Sequence, residues 1–326
     1  MVETSQSRAT DFSVAICTYN GASRIPAVLD HLLQQKVEGI RWEVVVVDNN
    51  SHDNTKAVVL DYMNRWREDC ELRYVFEPEQ GTSYARARAV QAVQSQDLVG
   101  FLDDDNLPAE TWVAEAYQFG QAHPRAGAYG GNVHPLLDEP PPPHFEQIKL
   151  LLAILNRGQQ PFQYLRSAKP RKVPIAPGCV IRRQTWQDCI PKQLLLAGRD
   201  EAGKTMLGAC EDLEMMYYIQ NSDWEVWHNP KMEIWHHLPP HRLERTYLLK
   251  IARTSGLSNH ALRLARLHPS QRPWIGVVLP VYLLSDGYKV LSYYFKYRQQ
   301  LATDLAKACE LESRMGRFLS PFAGRG

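Results

Sequence analysis

The chain has 326 residues, of which 44% are hydrophobic, and its formal net charge at pH 7 is +1. These totals describe a globular protein with a sizeable core, and they exclude a disordered chain and a globally basic, nucleic-acid-binding one. The polar start, residues 1–11, lacks the apolar core of a signal peptide, so export is not expected. The six cysteines form no C-x-x-C pair, which argues against a zinc site and fits reduced thiols in a cytosol. No uninterrupted apolar run reaches the ~18 residues of a membrane span.

The first hundred residues alternate short apolar runs with helical stretches. Strands are predicted at 12–17, 42–47, 72–76 and 98–102, and helices at 25–35, 54–66 and 83–93. Strands without polar alternation are buried on both faces. Their alternation with helices predicts an α/β fold, a doubly wound and mostly parallel sheet with helices on both faces.

Polar side chains follow each of these four strands where the strand ends. They are Thr18, Tyr19 and Asn20, then Asp48 to Ser51, then Glu77, then Asp103, Asp104 and Asp105. Ligands of such sheets collect at the carboxyl ends of the strands. Alternation places Asp103 and Asp105 on one side, where two carboxylates repel each other unless a cation lies between them. Oxygen ligands suit Mg²⁺ or Mn²⁺ bound together with substrate phosphates, and an acidic surface turn is the alternative for this run alone.

Two nucleotide-binding signatures are absent from the sequence. No G-x-G-x-x-G follows the first strand, and no G-x-x-x-x-G-K-[ST] loop occurs anywhere. A dinucleotide site and a P-loop are therefore not expected, and a nucleotide held through a metal on its phosphates remains.

The second half is less regular. A helix is predicted at 110–123, a strand with a close backbone approach at 128–133, a rigid connector at 139–144 and a buried or lid-like helix at 145–155. A turn and a short strand fall within 173–182, and two further strand-like runs at 224–228 and 234–238.

A second acidic centre opens a helix at residues 208–214. Glu211, Asp212 and Glu214 suit the first turn of a helix, and one of them could instead be a general base. Further on, the adjacent His236 and His237 could complete a metal shell or be hydrogen-bonded structural residues.

Five segments in order resemble the family 2 glycosyltransferases, inverting enzymes of the GT-A fold. They read Val-Ala-Ile-Cys-Thr-Tyr-Asn at 14–20, Val-Val-Val-Asp-Asn-Asn-Ser-His-Asp-Asn-Thr at 45–55, Gly-Thr-Ser-Tyr-Ala-Arg-Ala-Arg at 81–88, Phe-Leu-Asp-Asp-Asp at 101–105 and Glu-Asp at 211–212. Each is weak alone, but the ordered set is specific.

The resemblance implies a role for each candidate residue. The nucleotide-sugar site would comprise Thr18, Tyr19, Asn20, Asp48, Arg86, Asp103 and Asp104. Asp103 and Asp105 would hold Mn²⁺ or Mg²⁺, with Asp105 the direct ligand and His236 or His237 the late histidine that binds metal in some relatives. Asp212 matches the catalytic base, with Glu211 beside it.

The sequence departs from the family pattern in places. Cys17 stands where proline is frequent, Asn49 where a second aspartate is frequent, and Ala87 where asparagine is usual. No Gln-x-x-Arg-Trp follows Asp212, which favours transfer of one sugar over processive synthesis. The chain looks most like glycosyltransferases of bacterial exopolysaccharide gene sets, such as the hormogonium polysaccharide type.

The expected reaction is transfer from a nucleoside-diphosphate sugar to a hydroxyl of a glycan or lipid-linked saccharide. One alternative is a catalytically inactive nucleotide-sugar-binding scaffold at a membrane, which would have no need of a base. Another is a sugar-phosphate nucleotidyltransferase, which would carry a glycine- and arginine-rich loop after the first strand. Residues 18–24 contain only Gly21, which disfavours it.

The chain is expected to divide at residue 240. Residues 1–240 would form the catalytic domain, with a nucleotide-binding half at 12–106 and an acceptor half at 107–240. Residues 241–326 would be a helical extension, in which 241–300 carries ten Lys or Arg against two acids. This extension could lie on an anionic membrane at the inner face of the plasma membrane, or pack as helices on the catalytic domain. Nucleic-acid binding is not expected, since no recognised motif occurs.

Overall fold

Residues 10–196, 198 and 210–323 are described by a computed structural model, and nine strands within them form one sheet. The strands are β1 (Phe12–Thr18), β2 (Trp42–Asp48), β3 (Cys70–Phe76), β4 (Leu98–Asp103), β5 (Asn106–Pro108), β6 (Ala126–Leu137), β7 (Phe162–Gln163), β8 (Val180–Arg182) and β9 (Glu225–Leu238). Their order is β3-β2-β1-β4-β8-β6-β9-β5, and β7 also pairs with β9. The first four are mutually parallel, and β8 joins β4 antiparallel, so the sheet is mixed.

Helices flank the sheet and continue beyond it. They are α1 (Ile25–Leu33), α2 (Thr55–Asn64), α3 (Thr82–Ala92), α4 (Trp112–Ala122), α5 (Phe145–Ile148), α6 (Arg183–Cys189), α7 (Glu211–Gln220), α8 (Arg245–Leu257), α9 (Asn259–Arg266), α10 (Ile275–Tyr297) and α11 (Leu305–Leu319). Short 3₁₀ segments lie at Lys149–Leu152, Pro240–Leu243 and Pro269–Trp274. Gly208 and Ala209, in the stretch that was expected to open α7, lie outside the described residues.

Both faces of the parallel strands are covered, as their uninterrupted apolar sequences predict. Alternate residues enter different cores: Val44 and Val46 of β2 join one hydrophobic cluster, and Val45 and Val47 join the other. The doubly wound α/β arrangement expected for 12–106 is therefore confirmed, with each element within a few residues of its expected bounds.

The predicted strands at 224–228 and 234–238 are one continuous strand, β9. The intervening Asn229-Pro230-Lys231 looks like a turn in the sequence. In the structure, the pairing of β9 with β6 continues past these residues, with a shift in register between Gly130 and Asn132. Gly131 makes this possible, because a Cβ there would lie 1.7 Å from the Met232 carbonyl oxygen. The close backbone approach expected near 128–133 is present.

The predicted helix at 145–155 is shorter than expected. α5 ends at Ile148, the 3₁₀ turn Lys149–Leu152 follows, and Ala153 has a φ of 56°. Ala153 therefore ends the helical stretch with a left-handed residue.

The C-terminal region contains one long helix, α10 (Ile275–Tyr297), which retains Pro280 within it. With the preceding 3₁₀ turn, Ser270–Tyr297 is a 28-residue helical segment long and apolar enough, by length and composition, to cross a membrane; 6% of its apolar window is buried. The sequence shows no uninterrupted apolar run of ~18 residues here, because Ser285 and Asp286 interrupt the apolar side chains.

Candidate active site

A cavity of about 1200 Å³ opens at the carboxyl ends of β1 and β4. The parallel register pairs Cys17 with Asp103 and Thr18 with Asp48, so the ends of β1, β2 and β4 meet at one edge. Nine of the predicted site residues line the cavity, namely Thr18, Tyr19, Arg86, Asp103, Asp104, Asp105, Glu211, Asp212 and His236. The fold thus brings the two acidic centres, more than a hundred residues apart in sequence, to one cavity.

Asp104 is fixed by two neighbours. Thr18 Oγ1 donates to its Oδ2 at 2.6 Å, and Arg24 donates to both carboxylate oxygens at 2.9 and 2.7 Å. Burial raises the pKa of Asp104, while Arg24 acts in the opposite direction. Asp104 therefore joins β4 to the segment after β1 and shapes the cavity wall.

Asp105 lies beside an arginine and a histidine. Its Oδ2 is 2.8 Å from Arg242 Nη1 and 3.4 Å from His236 Nε2, and Arg242 Nη1 is 2.9 Å from that same ring nitrogen. Burial alone would raise the pKa of Asp105, but His236 and Arg242 together outweigh it and hold the pKa well below its usual range. Asp105 is consequently an anion at neutral pH.

Arg86 connects the two acidic centres. It is buried, donates to Glu211 Oε1 at 2.7 Å and lies 3.6 Å from Asp103 Oδ1. Burial would lower the pKa of this guanidinium, but Glu211 and Asp103 raise it overall, so it stays charged. Arg86 therefore fixes Asp103 and Glu211 relative to each other. The sequence analysis expected only a contact between Arg86 and the nucleotide-sugar.

Asp212 differs from Glu211 in its surroundings. Burial raises the pKa of Glu211, and that carboxylate is engaged by Arg86. Asp212 lines the cavity, and its Oδ2 accepts a hydrogen bond from the Ala176 amide at 3.1 Å. Of the two adjacent acids, Asp212 has the geometry of a group presented to a bound molecule.

Asp48 and Asn20 lie at the correct edge of the sheet but do not line the cavity. Asp48 is 2% exposed, and its oxygens accept from the Tyr74 hydroxyl at 2.7 Å and the Ser51 amide at 2.9 Å. Asn20 accepts from the His52 amide at 2.9 Å. Asn20 therefore joins the segments that follow β1 and β2, whereas Asp48 joins the segment after β2 to β3.

The two adjacent histidines point to opposite faces because they lie within β9. His236 pairs in register with Asn106 and reaches the cavity, whereas His237 is bonded to Asp138 at 2.9 Å outside it. This arrangement distinguishes His236 from His237 as the candidate ligand.

The cavity fits a divalent cation in part. Enclosure raises the pKa of Asp103, and its neighbours Asp105 and Asp104 add to that effect, so added positive charge would stabilise this cluster. Among the described residues, His236 Nδ1 is a buried nitrogen without a hydrogen-bond partner. Within the described ranges, no three His, Cys, Asp or Glu side chains lie close enough together to hold a metal ion by themselves. Two carboxylates and an imidazole on a cavity wall suit an ion that takes its remaining ligands from water and substrate phosphates.

The thiol at the end of β1 is not activated as a nucleophile. Burial raises the pKa of the Cys17 thiol to about 12, so this cavity-lining group is protonated at neutral pH. The chemistry available is thus that of carboxylates and guanidinium groups.

Arg24 and Arg242 are cavity residues that contact the acidic run and that the sequence analysis did not single out. Arg24 directly precedes α1, and Arg242 lies six residues after His236 in the 3₁₀ turn Pro240–Leu243. Their nearness to the strand ends is the only signal the sequence offers, because which acid each would contact depends on the folded chain.

The sequence was compared with models of known protein families. The model described as "Glycosyl transferase family 2" matches residues 13–188, more than half of the chain. The chain belongs to glycosyl transferase family 2, as the ordered motifs predicted.

Three known proteins illustrate the similarity. Glycosyltransferase AglE of Haloferax volcanii is 33% identical over 101 residues, 31% of this chain and 32% of that relative, so the match spans about a third of its length. The mannosyltransferase PcManGT of Pyrobaculum calidifontis, solved with GDP-Man and Mn²⁺, has a TM-score of 0.56 at 19% identity, covering 96% of this chain and 88% of that one. S. aureus TarS 1–349 with UDP has a TM-score of 0.50 at 15% identity, covering 96% and 92%. These solved structures confirm the GT-A fold.

Proposed function

We propose that this chain transfers a single sugar from a nucleoside-diphosphate sugar to a hydroxyl of a saccharide acceptor, with inversion at the anomeric carbon. The observation that carries the proposal is that Asp103 and Asp212 line one cavity. Arg86 contacts both Asp103 and Glu211, the residue next to Asp212, and so holds the two acidic centres together. One displacement assisted by one base inverts the reacting carbon, and this agrees with the protonated state of Cys17.

Asp212 is the base in this proposal. It accepts the proton of the attacking hydroxyl, while the Ala176 amide holds its other oxygen in place. Glu211 is occupied by Arg86 and serves to position it.

The donor occupies the end of the cavity at β1 and β4. Thr18, Tyr19 and Arg24 line this end, and Asp104 connects them to the acidic run. Asp48 and Asn20 support the surrounding segments, and a base contact from Asp48 would need a change in its bonds to Tyr74 and Ser51. The similarity in fold to proteins solved with UDP and GDP-Man supports a nucleotide-linked donor.

Asp103, Asp105 and His236 would hold Mn²⁺ or Mg²⁺. Such an ion supplies positive charge for the diphosphate that leaves with the nucleoside. The similarity in fold to PcManGT, solved with Mn²⁺, supports manganese.

The acceptor occupies the part of the same cavity that is lined by Tyr293 and Tyr297 of α10 together with Lys307 and Glu310 of α11. Aromatic faces with polar tips beside charged groups suit a saccharide, free or lipid-linked. We place the reaction in polysaccharide biosynthesis on the cytoplasmic side, and all six cysteines being free thiols agrees with that compartment.

The test is Asp212→Asn. Because the base is lost and the donor site is intact, we expect turnover, measured as donor hydrolysis or transfer with Mn²⁺, to fall about 10²- to 10⁴-fold. Donor affinity, measured by calorimetry, should be unchanged. The control is Asp138→Asn, which removes a partly exposed carboxylate outside the cavity and should leave both quantities at the wild-type level. Turnover within threefold of wild type in Asp212→Asn, or parallel loss of donor affinity, would contradict the proposal.

A further inference from the structure

One side of α10 exposes a continuous stripe of large apolar side chains. Ten of the nineteen exposed large hydrophobic side chains of the described residues lie between 274 and 295. Val277, Val281, Leu284, Tyr288, Leu291 and Phe295 recur every three or four residues and are 59–76% exposed. This spacing places them on one side of the helix. A contiguous apolar stripe of this length marks an interaction surface.

The other side of α10 packs on the protein. Asp286 is 3% exposed and pairs with Arg263 at 2.5 Å, and the Tyr293 ring lies 4.5 Å below the Arg314 guanidinium. Gly287 faces the Phe318 ring of α11, which a Cβ at that position would meet at 3.3 Å. α10 is therefore covered by protein on one side only.

The charges around the stripe identify its partner. Residues 269–303 contain four basic side chains, Arg272, Lys289, Lys296 and Arg298, and one acid, the buried Asp286. Exposed basic and aromatic side chains beside an apolar face match an anionic lipid surface. A second copy of the chain on the same face would bring like charges together, which disfavours self-association.

We propose that α10 lies in the plane of an anionic bilayer surface, with this apolar stripe in the headgroup region and Lys289 and Lys296 beside anionic lipids. A crossing orientation would carry the Asp286–Arg263 pair and Lys289 into hydrocarbon, at high cost. The in-plane orientation keeps that pair on the protein side.

This orientation also sets the position of the cavity. Tyr293 and Tyr297, on the covered side of the same helix, line its acceptor end. With α10 at the bilayer surface, that end lies about one helix diameter, ~10 Å, from the headgroups. A saccharide on a lipid anchor is thereby delivered beside Asp212, a consequence that rests on the proposed function, whereas the membrane contact does not.

Vesicle flotation of the purified full chain tests the contact without donor or acceptor. We expect the chain to float with phosphatidylcholine vesicles that contain phosphatidylglycerol, and much less with phosphatidylcholine alone. The double variant Val277→Glu/Leu284→Glu should lose flotation. Lys289→Gln/Lys296→Gln should lower the partition coefficient about fivefold for each charge removed.

The matched control is Leu60→Glu/Met63→Glu, which alters two exposed apolar residues of α2 and should float like wild type. Far-UV circular dichroism and donor hydrolysis without vesicles confirm that each variant is folded, and keep failure here separate from failure of the proposed reaction. Three results overturn the proposal. They are no flotation of the wild type, equal flotation on both vesicles with resistance to alkaline carbonate, and a dimer that Val277→Glu/Leu284→Glu dissociates while no variant floats.

Discussion

At the scale of single residues, the arrangement of charge in the cavity is the main result. The carboxylates of the two acidic centres, Asp103, Asp104, Asp105, Glu211 and Asp212, line one cavity, and Arg24, Arg86 and Arg242 are among the basic side chains that line it with them. Each of these three arginines contacts a different acid. These contacts offset the repulsion and the desolvation cost of the buried carboxylates before any ligand binds.

The two neighbouring histidines provide a residue-scale prediction. His236→Ala should weaken Mn²⁺ binding by at least the ~10-fold typical of losing a supporting partner of a metal site, because the imidazole lies beside Asp105. His237→Ala is the matched control and should bind Mn²⁺ like wild type, since that ring contacts Asp138 outside the cavity. Calorimetry with Mn²⁺ alone measures both. Equal affinities in the two variants would remove His236 from the proposed ligand set.

At the scale of elements, β4 carries the acidic run and its position depends on a glycine. Phe12 of β1 and Trp112 of α4 meet over Gly100 with their ring centroids 6.1 Å apart, and both rings are fully buried. A Cβ at Gly100 would lie 2.7 Å from the Trp112 ring and 2.8 Å from the Phe12 ring. The strand that ends at Asp103 is thus held by close packing just upstream of the cavity.

Gly100→Ala should therefore lower the free energy of unfolding by about 1–3 kcal/mol, since neither fully buried ring has space to withdraw. Gly276→Ala is the control. A Cβ there meets nothing within 4 Å, and the exposed helical alanine should leave stability unchanged or raise it by up to ~1 kcal/mol. Urea denaturation followed by circular dichroism gives both values. A stable Gly100→Ala variant would show that this packing is looser than it looks.

At the scale of the whole molecule, the C-terminal helices belong to the same core as the sheet. Leu248 and Ala252 of α8 and Ala306 and Cys309 of α11 join the hydrophobic cluster that also holds the β1 side chains. These contacts pack α8 and α11 against the core of the sheet, while the division at residue 240 stays a prediction. α8 and α11 pack on the core, whereas the proposed membrane contact uses the exposed side of α10.

The contact between α8 and α11 provides a whole-molecule prediction. A Cβ at Gly316 would lie 2.3 Å from the Arg253 carbonyl oxygen, so Gly316→Ala must move one helix away from the other. We expect a loss of about 1–3 kcal/mol, because this backbone overlap exceeds the ~1 kcal/mol that alanine gains in a helix. Urea unfolding should remain one transition by tryptophan fluorescence and circular dichroism. Arg317→Ala, at an exposed position of α11, should be neutral; two separate transitions would show that residues 241–323 fold independently.

The sequence alone determined the fold of the first half and the composition of the site. Continuous apolar strands alternating with amphipathic helices have one stable arrangement, a doubly wound sheet, and this arrangement places the residues after β1, β2 and β4 at a single edge. Thr18, Tyr19 and Asp103 therefore follow from the strand pattern itself, whereas Asp212, on α7, follows from the family resemblance.

Only the tertiary structure decided which neighbours act together. The choice of His236 over His237 depends on both lying in one strand, β9. Asn229-Pro230 looks like a turn in the sequence and hides this continuity. The strand is continuous because Gly131 leaves space for the Met232 carbonyl. The partners of Arg86 and Arg242 come from segments far away in the sequence, and the exposed stripe of α10 depends on which side of that helix α11 covers. Local sequence sets the periodicity of each element, but long-range packing selects the face that is buried and the charges that meet.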